Sequence, residues 1–387
     1  MNTRIVLFVL GLSAAFISLA QNLYVPLLPR LQHDLHTSLF MVSATVSCYT
    51  IALAVMQIVF GPVIDKKGRR AVLLPSMLLF ALASVGCAFS NSVSALLFFR
   101  VLQGIGAAAV PLVAATMIGD LFESEERVRK MATYQMILGL SPAFGPLLGG
   151  VIGDHAGYQG VFFFLSAVTL IMALVAVLAV PETKPAVTRE QRLGIHTFAV
   201  IFKHQTGAAS LLAGFALYYL FSSFTVFLPE ILSRVYSLDA KQIGGIFLLL
   251  MTFSFLGSKI SGRLQAKRGA KKSLVVHSSL VLGSLAFFLA VGLFSIVGLF
   301  LSLAALGFTV GLTMSVPPTL LAEAFAEERA TAIGIYNFVR YAGMAAAPLL
   351  GSLFYETGGI WLLFGCTAVL MGWAILYAKK LWHTMPA

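Results

Sequence analysis

Twelve apolar runs, each long enough to cross a bilayer, occupy most of the chain, and charge is confined almost entirely to the breaks between them. They fall at 5–29, 39–63, 71–90, 93–118, 128–153, 158–180, 207–229, 242–262, 273–292, 295–320, 329–354 and 359–380. A helix needs about 20 apolar residues to cross roughly 30 Å of hydrocarbon, so each run is read as one span. Lipid-facing helices are apolar almost all round, which is why length and the charged breaks, rather than periodicity, set these boundaries. Composition agrees: 59% of the 387 residues are hydrophobic and 11% are charged, with mean hydropathy +0.93. Soluble domains carry about 25% charged residues. Too few polar side chains are present to wet a globular surface, so most of the surface faces lipid. The expected fold is an all-α membrane protein of twelve transmembrane helices, and an ordinary soluble enzyme is excluded.

A formal charge of +11 invites a nucleic-acid reading, but that reading needs the cations gathered on a folded polar surface. Here they follow the positive-inside pattern of membrane proteins. With a cytoplasmic N-terminus, twenty Lys and Arg residues fall in inner segments, among them Lys66, Lys67, Arg69, Arg70, Lys267 and Arg268, while Arg30, Arg234 and Lys241 fall in outer ones. Both termini are therefore expected in the cytoplasm, and no nucleic-acid partner follows. Cys48, Cys87 and Cys366 lie inside apolar runs without paired spacing, so neither a disulfide framework nor a metal site is expected. The first run is too long for a signal-peptide core and has no small-residue cleavage site behind it, so it is read as the first span.

The longest polar interruption, 181–206, is rich in Pro, Thr, Lys, Glu and Arg. It divides the chain into an amino-terminal six-span half (1–180), a cytoplasmic linker (181–206) and a carboxy-terminal six-span half (207–387). Internal repetition supports the division. One near-constant offset relates Gly61 to Gly262, Gly68 to Gly269, Glu126-Arg127 to Glu328-Arg329, and GPLLGG at 145–150 to APLLGS at 347–352. Because each copy has an even number of spans, the two share one orientation and are expected to be related by an axis along the membrane normal.

Three stretches carry a family resemblance. The loop GPVIDKKGRR (61–70), the run RVLQGIGAA (100–108) in span 4 and PAFGPLLGG (142–150) in span 5 resemble motifs A, B and C of the major facilitator superfamily. The third is similar to the antiporter motif of that family's twelve-helix drug:proton exporters. YVPLLP at 24–29 resembles a segment of the Bcr/CflA-like exporters. The resemblance covers essentially the whole chain. It implies a monomeric multi-pass transporter of the bacterial cytoplasmic membrane that moves small molecules by alternating access, coupled to protons and needing no cofactor.

Each motif also has a reading from its residues. In motif A, Gly61 and Gly68 permit a tight, close-packed turn, and Asp65 is suited to a helix N-terminus. The resemblance implies that this helix is span 11 and that the contact, with Arg69 and Arg70 beside it, holds a cytoplasmic gate; otherwise 66–70 is a set of topogenic charges. The second copy has Ala266 where the first has its acid, so a latch would be asymmetric. In motif C, Gly145, Pro146 and Gly149 suit either gating or plain close packing of helices.

Charge inside hydrocarbon is costly unless paired or facing a wet cavity. None of the 15 acids lies deep in a span, but Arg100 and Arg340 fall near the midplane; Lys259, near a span end, can snorkel. Each arginine either lines a cavity or bonds carbonyls freed at a bent helix. The Bcr/CflA resemblance implies a coupling Asp four residues before the first proline of the span 1 segment, and here that residue is Asn22. An amide does not titrate. Coupling would then use another group, such as Asp34, Glu230 or the substrate itself, or the protein is not a simple proton antiporter. The candidate cavity comprises Gln21, Asn22, Tyr24, Arg100, Gln103, Tyr134, Tyr218, Tyr336, Asn337 and Arg340, with Gln135, Tyr219, Thr313 and Tyr341 beside them. Aromatic and amide groups suit an amphipathic ligand.

The reading is an exporter of amphipathic drugs or related metabolites, with a dedicated transporter of one anionic or zwitterionic metabolite as the alternative. A membrane-embedded enzyme lacks support, since no intramembrane His/Asp cluster, HExxH or Ser/Lys pair is present. A sensor is disfavoured by the lack of a soluble signalling domain.

Overall fold

The computed structural model describes residues 3–122, 124–183, 200–325 and 329–383. Its helices are α1 (Thr3–Leu23), α2 (Leu28–Asp34), α3 (Leu39–Lys67), α4 (Arg69–Ala88), α5 (Val93–Leu121), α6 (Ser124–Ala179), α7 (Gln205–Tyr236), α8 (Ala240–Arg268), α9 (Ala270–Phe287), α10 (Ile296–Met314), α11 (Val316–Ala324) and α12 (Arg329–His383). No strand occurs among the described residues. Among the described residues, ten helical stretches are long and apolar enough to span a membrane. Two of the helices run through a non-helical glycine, α6 at Gly157 (φ 65°, ψ −171°) and α12 at Gly359 (φ 64°, ψ −157°). Divided there, each supplies two spans, which gives the twelve expected from sequence.

Local chemistry explains the ends. Ser38, Ser92 and Ser295 cap α3, α5 and α10 by accepting the N–H of Met41, Ala95 and Gly298, satisfying a donor that the first helical turn leaves free. At the opposite ends of α3 and α8 the chain turns on Gly68 (φ 104°) and Gly269 (φ 77°). Among the described glycines, those with positive φ are these two together with Gly157 and Gly359. They form two pairs one repeat apart, so the duplication read from sequence recurs in the backbone.

Several boundaries differ from the expected ones. The spans expected to end at 63 and 262 continue to Lys67 and Arg268, because charged residues keep their helical hydrogen bonds after the apolar run has stopped. Two spans expected to be continuous are broken. A 3₁₀ turn at Val25–Leu27, with Pro26 in it, separates α1 from α2. Ser315 separates α10 from α11 just before Pro317 and Pro318. Proline lacks the N–H that would continue the ladder, and hydropathy does not register that loss.

Two compact units are found, one of residues 1–191 with 239–244, the other of residues 192–238 with 245–387. Most of the expected linker, 184–199, lies outside the described residues. In the first unit, α1 packs on α6 and α5 lies against both α3 and α4. The glycines of motif B make the second arrangement possible. A Cβ on Gly104 would stand 2.5 Å from the Tyr49 carbonyl of α3, and one on Gly106 would stand 2.6 Å from the Phe80 nitrogen of α4. In the second unit, α7 packs on α12 and α9 on α10, around a cluster in which Phe224 meets Phe288 and Phe364 at centroid separations of 5.0 and 4.5 Å.

Candidate functional site

Arg100 is fully buried inside the first unit. Its Nε donates to the Thr45 carbonyl at 3.3 Å, and its Nη1 donates to Gln103 Oε1. Gln103 Nε2 donates in turn to Ser84 Oγ at 2.7 Å, and Ser84 to the Phe80 carbonyl at 2.8 Å. Nη2 has no oxygen partner. The guanidinium lies over two rings, Tyr24 at 4.6 Å and Tyr49 at 4.1 Å, whose negative faces stabilise a cation out of water. Tyr24 is fixed by a 2.9 Å hydrogen bond with Thr45 Oγ1, and Tyr49 donates to the Ile17 carbonyl at 3.3 Å. Arg100 thereby ties α1, α3, α4 and α5 together.

Arg340 occupies a related setting in the second unit with weaker bonds. Its Nη1 donates to Tyr218 Oη at 3.4 Å and its Nη2 to Tyr341 Oη at 3.3 Å, and it lies 5.3 and 4.8 Å from the centroids of the same rings. Its Nε has no partner, and neither does the hydroxyl of buried Tyr336, one helical turn before it. Arg340 itself is only partly buried. Among the described residues, neither arginine has an acid within ion-pair distance.

The other predicted cavity residues divide between the units. Gln21 donates to Thr50 Oγ1 at 3.3 Å and Tyr134 to the Pro111 carbonyl at 2.9 Å, and Asn22 is buried. In the second unit Asn337 is partly buried, Tyr219 and Thr313 are buried, and the Tyr219 hydroxyl has no partner. The side chain of Gln135 lies outside the described residues. Glu230, named above for coupling, is buried beside Arg234, with which it forms an ion pair.

Motif A is built differently from the expectation. Gly61 lies within α3, and a Cβ there would meet nothing within 4 Å, so it makes no turn. The turn belongs to Gly68. A Cβ there would be strained by φ and would stand 2.6 Å from the Glu182 carboxylate. That carboxylate accepts the backbone N–H of Arg69 at 2.8 Å and of Arg70 at 3.1 Å, neutralising the N-terminus of α4. Arg69 is buried and donates through Nε to Asp120 Oδ2 at 2.8 Å, while its Nη2 lies 3.4 Å from Asp65. Thr183 donates to the same Asp120 oxygen at 3.0 Å, and Arg70 Nη2 donates to the Val177 carbonyl at 2.7 Å. Sequence reading missed Asp120 and Glu182. Both sit at the ends of spans, where an acid looks like any solvated charge, and only the fold brings them to Arg69.

Motif C seats α1. A Cβ on Gly145 would stand 3.4 Å from the Asn22 Cβ, and one on Gly149 would stand 1.5 Å from the Leu23 carbonyl. Pro146 is buried between them. No side chain larger than hydrogen fits at 149 without moving α1.

A duplicated helical bundle in two units, with polar groups held inside its apolar helices, defines a multi-pass membrane protein. The Major Facilitator Superfamily profile matches residues 10–348 and 211–386, and the chain belongs to that family. A bicyclomycin resistance protein homolog of Haemophilus influenzae is 24% identical, covering 93% of this chain and 88% of that protein. Citrate exporter 1 of Aspergillus niger is 26% identical over 62% of this chain and 52% of its own. Among solved structures, a bacterial homolog of the human lysosomal transporter Spinster superposes with a TM-score of 0.83 at 15% identity, covering 98% of this chain and 97% of that one. Relatives of the Bcr/CflA exporter type are among the matches, as the segment at 24–29 implied.

Proposed function

We propose that this protein exports amphipathic small molecules by alternating access, that its cargo carries an anionic or acceptor-rich end, and that Arg340 receives that end. The observation that carries the reading is the state of Arg340. It is a permanently charged group in an apolar helix, held only by two long phenol hydrogen bonds, with its Nε and the nearby Tyr336 hydroxyl lacking acceptors. Unmet donors around a guanidinium suit a carboxylate, and the surrounding tyrosines offer ring faces to the apolar remainder of a ligand. The names of the relatives, one for an antibiotic and one for citrate, fit cargo that is small and polar at one end. The citrate relative also supports the narrower reading, a dedicated carrier of one anionic metabolite.

Radiolabelled citrate and bicyclomycin moved by the purified protein in proteoliposomes, with and without an imposed pH gradient, test this. Uptake of either, lost in Arg340→Gln, is the expected result; equal uptake by that variant refutes the assignment. Acceleration by the gradient would support proton coupling. Asn22→Asp, which restores an acid at the position implied for coupling, should make flux more steeply pH-dependent. The orientation with both termini inside predicts that single cysteines at Asn91 and Lys267, in a background lacking the native three, label from outside and from inside respectively.

A further inference from the structure

At the break between α10 and α11 the second unit holds a buried polar cluster that the reading above leaves unused. Ser261 Oγ donates to the Leu312 carbonyl at 2.5 Å, and Ser315 Oγ donates to Ser261 Oγ at 2.9 Å. Gln265 Nε2 lies 2.9 Å from both of those hydroxyl oxygens. His277 Nδ1 lies 3.2 Å from the same Leu312 carbonyl. Because a carbonyl only accepts, this contact fixes the ring as the Nδ1–H tautomer and leaves Nε2 a bare acceptor. That Nε2 has no partner, and neither do Gln265 Oε1 and Ser278 Oγ. His277 is 1% exposed and Gln265 8% exposed. Nε2 and Gln265 Oε1 are thus acceptors without a donor, and leaving a buried polar group unpaired is costly.

His277 is also singular in kind. It lies seven residues into α9, roughly 10 Å along the helix from Ala270, and the other described histidines lie at helix ends or on the surface. The charged groups at the flanking helix ends are cations, and they oppose a positive ring. Arg268 ends α8, Lys271 and Lys272 begin its own helix, and Lys379 and Lys380 lie in the last turns of α12. No titratable side chain comes from α10, and Glu323 of α11 and Glu356 of α12 are exposed.

We infer that His277 is a proton-binding site, in which a proton taken up on Nε2 turns the bare acceptor into a donor. One proton thus gives the ring a donor at the nitrogen that has no partner. The site stands next to Ser315, where two prolines leave the helix ladder open, so the charge state of the ring bears on the bond that Leu312 makes at the break. This rests on the proton-coupled reading for its purpose, supplying a titratable group where Asn22 offers none.

The test needs no cargo, so its failure is distinguishable from a failure of the export reading. Histidine-labelled (¹⁵N) full-length protein in lipid nanodiscs is titrated by NMR, with the His277 resonance identified by its loss in His277→Gln and, independently, in His277→Asn. The expected result is a neutral Nδ1–H ring at high pH that becomes doubly protonated within about pH 5 to 8. A resonance that stays neutral throughout overturns the inference, and so does one that responds to sodium at fixed pH instead of to protons. In the flux assay, a pH-gradient response that survives in His277→Gln would remove His277 from coupling.

Discussion

Arg100 and Arg340 are the two arginines deep in the spans, one in each unit, and each lies between tyrosine rings. Their surroundings diverge from there. Arg100 is fully buried, bonded to a backbone carbonyl and to an amide that is itself held by Ser84. Arg340 is partly exposed and reaches only two hydroxyls at long range. Each has one nitrogen without a partner; a charge anchored by backbone and amide oxygens cements helices, whereas one held only by two long hydroxyl contacts is the more available to a ligand. The motif A turns diverge in the same sense. Arg69 in the first unit is locked by Asp120 and Asp65, while the second copy has Ala266 and Ala270 at the corresponding positions.

The largest effect is expected at Arg100. Arg100→Leu leaves Gln103 Oε1 and the Thr45 carbonyl without a charged donor, at a cost of about 3–5 kcal/mol. Thermal unfolding in detergent should show the loss directly; a variant of unchanged stability but altered cargo affinity would reverse the roles given to the two arginines. Next comes Asp120→Asn. It weakens the bond to a buried guanidinium by about 1.5–3 kcal/mol, and the unfolding midpoint should fall while that of the exposed acid variant Glu323→Gln stays at wild type. Arg340→Gln should barely move the midpoint yet reduce affinity for an anionic ligand by about 10- to 100-fold, measured by equilibrium binding. Stability loss without affinity loss there would make the second arginine as structural as the first. The smallest change is expected for Asp65→Asn, about 0.2–1 kcal/mol, since the Asp65 side chain is 47% exposed. A transport defect larger than that stability change would give Asp65 a gating role beyond its bond to Arg69.

The apolar runs, the duplication and the positions of both arginines are legible in one dimension, because hydrocarbon thickness sets a length and buried charge is rare enough to stand out. Motif C was legible as a row of small residues, but its partner, the Leu23 carbonyl of α1, was not. The breaks in spans 1 and 10 were missed because proline leaves hydropathy nearly unchanged while deleting a hydrogen bond. The companions of Arg100, namely Thr45, Tyr49 and Ser84, are common residues in membrane helices, and nothing in their spacing announces a shared partner. Sequence by itself determined the class, the number of spans and the family. Tertiary structure decided which of the two charges is the more firmly held, because that depends on acceptors delivered by other helices, and the order of residues along the chain does not record those distances.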